Sequence, residues 1–187
     1  MALSPTTSRG ATGAASALTL LSTTTVGAAS TIDVSGIDQT YNDLVLVVIA
    51  QSSAAIASDS VGVTFNGDGA GNYYDDMVRS NGAVVSAVQL LANTSTTPHF
   101  TCPAASGIAG AFGFFSMEIL GYRVTTWRKG LLSHTGGNPA RTTNNTVPQV
   151  SFGWWDSTAA INRITLTPGT TPFTFATGSF MRIYGRM

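Results

Sequence analysis

The chain has 187 residues and a mass of 19.3 kDa, enough to bury a core without disulfide or metal staples. Nine basic residues balance nine acidic ones and charged residues make up only 10% of the chain, which excludes an electrostatic nucleic-acid binder. The longest aliphatic run, residues 44–50, is far shorter than the ~20 residues of a membrane helix, and a lone cysteine, Cys102, excludes an internal disulfide framework or a multi-cysteine metal site.

Threonine (27), serine (19) and glycine (20) replace charge, a composition suited to pleated strands and turns. Residues 1–16 read as an extended N-terminal arm: Pro5, Gly10 and Gly13 discourage a helix, and no apolar run of leader length follows Arg9. The folded domain is expected over residues 17–187, with Leu18, Leu20 and Leu21 opening its first strand. From residue 31 onward the period is two. Ile32 and Val34, then Val61, Val63 and Phe65, then Phe115, Met117 and Ile119 alternate with small or polar residues, the mark of half-buried strands.

Residues 44–50 are apolar at both phases and predict a central strand covered on both faces. Further strands are expected over residues 124–133, 149–155, 160–167 and 179–184, for eight or nine in all. Residues 83–91 suit a short helix or a strand equally. Asn66-Gly67-Asp68-Gly69, Asn81-Gly82 and Pro168-Gly169 supply turn chemistry between these segments. The fold class that follows is all-β, an antiparallel two-sheet sandwich of the jelly-roll type.

Candidate chemistry is sparse, and no pattern calls for a cofactor. His99 and His134 are the possible bases of a hydrolytic triad, but neither lies near a nucleophile elbow, and Cys102 sits in an apolar strand where a small hydrophobe fits. Asp68, Asp75 and Asp76, with Asn66 and Asn72, could gather oxygen ligands for calcium without matching an EF-hand; otherwise they form a turn with both later carboxylates in solvent. The acids show no glycosidase signature. Trp127, Trp154, Trp155, Tyr73, Tyr74 and Tyr122 could stack on a glycan, or serve as core and subunit contacts. Arg123, Arg128 and Lys129 surround Trp127 as the one basic concentration, suited to an acidic partner surface.

Residues 17–23, 30–37, 41–47 and 63–68, together with the closing segments 160–167 and 175–185, resemble a recurring domain of tailed-bacteriophage virion proteins. The resemblance implies a non-enzymatic β-sandwich on the outside of the particle, made in the host cytoplasm and assembled as a homotrimer. It implies either a capsid cement or decoration protein bound to the major capsid protein, or a tail-fibre module, for which the ligand would be a host surface glycan. With no fibre shaft before residue 17, cement is the expected role, with no nucleic-acid or membrane partner. The expected partner contacts are Pro5, Thr6 and Arg9 in the arm and Trp127 with Arg128 in the domain. The 38 uncharged residues from Ser80 to Met117 suit a surface that is covered.

Overall fold

The computed structural model describes residues 17–80, 84–95, 100–136 and 148–187, so the expected arm, with Pro5, Thr6 and Arg9, and the expected turn at Asn81-Gly82 lie outside the described residues. Among these the chain forms twelve strands and no helix. They are β1 (Thr19–Thr25), β2 (Ile32–Ser35), β3 (Asp43–Ala50), β4 (Ser58–Phe65), β5 (Tyr73–Ser80) and β6 (Val85–Asn93), followed by β7 (Thr101–Pro103), β8 (Gly113–Leu120), β9 (Lys129–Gly136), β10 (Gln149–Trp155), β11 (Arg163–Pro168) and β12 (Phe180–Arg186). Eight of them form one sheet in the order β1-β12-β3-β8-β9-β10-β5-β6, and four form a second in the order β2-β11-β4-β7. All these neighbours are antiparallel, which is the two-sheet sandwich expected from the alternation.

The pairings nest. β1 pairs with β12, β2 with β11, β3 with β8 and β4 with β7, so the chain folds as a ribbon doubled back on itself. The register then fixes the core: Ile183, Leu46 and Met117 lie side by side across β12, β3 and β8. They meet Ile32, Val61, Val63, Ile164 and Leu166 of the smaller sheet in one buried cluster. A one-residue slip would turn every one of these side chains outward.

Several expectations are corrected. β3 is central, but only Leu44, Leu46, Val48 and Ala50 are buried; Val45, Val47 and Ile49 stay half-buried because the second sheet covers a single face. Residues 124–128 are not strand: β9 begins at Lys129, after a turn entered through Gly121 at φ +60°. The ambiguous stretch 83–91 gives strand β6 from Val85, in keeping with its β-branched valines. Two strands, β5 and β7, lie beyond the expected set; the turn at Asn66-Gly67 forms as expected, but the acidic segment is already strand from Tyr73, where β5 begins.

Beyond β8 the inward face of the larger sheet changes character. On β9 and β10 the buried phase mixes Leu131 and Trp155 with Lys129, Ser133, Thr135, Gln149 and Ser151, and on β5 it sets Asp75 between Tyr73 and Met77. The apolar phase of β10, Val150, Phe152 and Trp154, points outward and is exposed. Polarity on this strand is thus inverted relative to β3 and β8.

Phe115 sits at the centre of the true core, stacked on Phe100 with centroids 5.0 Å apart. Phe115→Ala is expected to cost about 3–5 kcal/mol, read as a lowered urea midpoint with an unchanged slope.

Candidate functional site

The turn after β4 shows what the acidic segment does. Asn66 at φ +54° and Gly67 at φ +74° reverse the chain, and Asn66 fastens the turn to the start of β11, its Oδ1 accepting from the backbone N–H of Asn162 (2.9 Å) and Arg163 (3.1 Å). Asp68 accepts from the Ala70 backbone N–H (2.9 Å), the Asn72 amide (2.9 Å) and the Trp155 indole N–H (2.7 Å). The Tyr73 hydroxyl donates to the Asp68 carbonyl (3.1 Å) and accepts from the Phe65 N–H (2.9 Å). Partial burial pushes the Asp68 carboxyl up, but the hydrogen bonds from Asn72, Trp155 and Ala70 outweigh it and hold the group below the ordinary value of 3.8.

These carboxylates are not gathered into a cation site. Asp68 serves the turn, Asp75 points into the sheet's buried face and Asp76 lies on the opposite, exposed face. The reading of Asp75 as solvated is therefore corrected, since period two on β5 sends it inward. Among the described residues no three His, Cys, Asp or Glu side chains group as metal ligands.

Other candidates resolve one by one. His134 stands on the exposed face of β9, and His99 lies outside the described residues. Cys102 is buried, and burial pushes its thiol up to about 12. Asp43 and Glu118 do approach each other, yet Arg186 lies between them, bonding Asp43 at 3.0 Å and Glu118 at 2.9 Å. One guanidinium bridges both carboxylates and offsets one of their two charges. Tyr73, Tyr122 and Trp155 are buried, which removes half of the aromatic set that could meet a sugar.

Of the expected basic patch, Arg123 and Arg128 stay at the surface beside Trp127, and Lys129 turns inward. Arg128 pairs with Asp156, and Arg123 donates to the Asn42 side chain at 2.9 Å. Lys129 is fully buried, and its ammonium donates to the carbonyls of Val124 (2.5 Å), Trp127 (3.0 Å) and Thr158 (3.2 Å). Three donors meet three acceptors, and burial lowers the Lys129 pKa. The ammonium ties the 121–128 turn to the segment after β10. Trp127 is held 58% exposed with its indole packed over Gly121, where a Cβ would come within 2.7 Å of the ring nitrogen.

Trp127 borders the exposed face of the larger sheet. Registers place Leu120, Gly130, Trp154 and Tyr74 in one row across β8, β9, β10 and β5, and Glu118, Leu132, Phe152 and Asp76 in the next. Phe152 is 60% exposed, Val78 53% and Trp154 42%. Trp154 and Tyr74 stack on each other with centroids 5.1 Å apart and planes 9° from parallel. This face is a broad exposed apolar surface, and the second sheet does not cover it. Alternation along β10 is visible in the residues themselves; its direction is not.

Comparison with protein-family models, with curated proteins and with solved structures finds no match in any of the three.

Lys129→Met strips three partly buried carbonyls of their donor and is expected to cost about 1–3 kcal/mol, read by chemical unfolding. Asp68→Asn is expected to cost about 1–2 kcal/mol at neutral pH. Because the folded pKa of Asp68 is depressed, its contribution is present above the unfolded value of 3.8 and is lost as pH falls through the folded one. The stability gap between wild type and variant should therefore shrink on acidification below about pH 4.

Proposed function

We propose that this chain is a structural protein of a tailed-bacteriophage particle, a cement or decoration subunit set on the outside of the shell against the major capsid protein, without catalytic activity. One observation carries the reading: a sandwich whose wide sheet turns Phe152, Trp154, Val78 and Val150 to the exterior. Monomeric proteins rarely leave so much contiguous apolar surface open, and such faces mark contact sites, here between neighbouring subunits on the shell. The nested pairing is taken as jelly-roll winding, with β5–β6 and β9–β10 inserted into it, an architecture in keeping with the resemblance of the sequence to virion domains. Residues 1–16 are proposed as an arm that adds contacts to a neighbour on the shell, with Pro5, Thr6 and Arg9 among them. Repetition over many equivalent positions lets individually weak contacts hold.

The alternative is a tail-fibre module that binds a host glycan through exposed rings. Trp127 and Trp154 are available for it, but the stacking of Trp154 on Tyr74 occupies one ring face that a sugar would need.

A density map of the intact particle tests the proposal. The expected result is this sandwich at hundreds of equivalent positions on the head. Its confinement to a few dozen copies on the tail, with glycan binding abolished by Trp154→Ala, would replace the cement reading with the fibre one. Absence from the particle would overturn both.

A further inference from the structure

We infer that the exposed face of β9, β10 and β5 is a self-complementary docking surface whose occupant is a second copy of this chain. Polarity on β10 is inverted, with Gln149 and Ser151 buried and Val150, Phe152 and Trp154 outside, so the exposed apolar phase is built into the strand register rather than left over from core packing.

The face carries both a knob and a recess. Phe152 is the knob, 60% exposed in mid-strand between Leu132 and Asp76. The recess begins at Gly130 and runs away from β10, walled by Leu120, Val124 and Trp127, with Asp43, Arg123 and Arg128 at its rim. Its volume is about 550 Å³, ample for an aromatic ring. A Cβ placed on Gly130 would find only the tip of Leu120, at 3.9 Å. Phe152 and Gly130 are diagonal neighbours on adjacent strands, about 7–8 Å apart. A half-turn about an axis passing between them sets each copy's Phe152 into the other's recess. That is the reciprocity an isologous contact requires.

Area and charge agree with this occupant. The exposed parts of Val78, Val150, Phe152, Trp154, Leu120 and Trp127 amount to roughly 600 Å², about three-quarters of the ~800 Å² each partner contributes to a standard interface. The outward phase of the three strands carries Asp76 and His134 on opposite sides of β10, and the chain has no net charge to drive copies apart. A single self-complementary patch closes as a pair, whereas a threefold ring needs two different patches on every copy. The pair forms without a particle, and so does not rest on the phage reading.

Sedimentation velocity on the full chain, from low to high micromolar concentration, tests it. The wild type is expected to reach the mass of two chains. Phe152→Asp and Gly130→Lys, each checked for an unchanged far-UV spectrum and melting temperature, are each expected to weaken association about thirtyfold or more. Mixing these two variants is expected to restore pairing. The carboxylate introduced at position 152 of one chain then meets the ammonium introduced at position 130 of the other, while the second contact keeps its native Phe152 and Gly130. A wild type that stays monomeric or forms trimers, a pair that survives both substitutions, or a mixture that fails to associate would overturn the inference. Failure of the head density with the pair intact would overturn only the proposed function.

Discussion

A four-stranded sheet cannot shield an eight-stranded one, and most of this structure follows from that difference in width. With strands spaced about 4.8 Å apart, the smaller sheet covers roughly half the breadth of the larger. Over β12, β3 and β8 the facing side chains are Leu, Val, Met, Phe and Ile, and a dry core forms. Farther along the same face, on β9, β10 and β5, serine, threonine, glutamine and aspartate share the buried positions with Leu131, Trp155, Tyr73 and Met77. Tyr73 and Trp155 end the core on that side, their rings 5.9 and 5.6 Å from Phe65 of the small sheet.

Inverting the polarity of β10 has an unavoidable geometric result. Side chains on a strand alternate, so placing Gln149 and Ser151 inward sends Val150, Phe152 and Trp154 to the surface. The turn at 121–128 extends this apolar surface by holding Trp127 at its border, and that turn depends on the Lys129 ammonium shared among three carbonyls. A buried cation here organises an exposed ring. The core and the contact face are thereby linked through one strand, β9, which contributes Lys129 to the interior and Gly130 to the recess outside.

Much of the fold is legible in the sequence because period two is a local signal. The expected strand over residues 149–155 has the bounds of β10, and the alternating valines and phenylalanines of β4 and β8 are equally clear. β5 is hidden, since Asn66, Gly67, Asp68, Gly69 and Gly71 announce a turn and Asp75 and Asp76 prolong its polar composition. Nothing local says that Asp75 faces inward. Lys129 reads with Arg123 and Arg128 as surface charge, because the carbonyls that receive it come from residues 124, 127 and 158 and converge only in three dimensions. Trp127 stands out by composition and is exposed in the fold, while Phe152 and Gly130 carry no local mark: alternation reveals two faces of a strand without saying which one the second sheet will cover.

If the outward phase of β10 is a contact face, its side-chain accessibility tests this most directly. Hydroxyl-radical footprinting of the full chain across a concentration series reads oxidation of Phe152 and Trp154 against Met187, an exposed residue outside the face. Phe152 and Trp154 are predicted to become protected as concentration rises while Met187 does not. Oxidation of both rings at a constant rate over the whole series would contradict it.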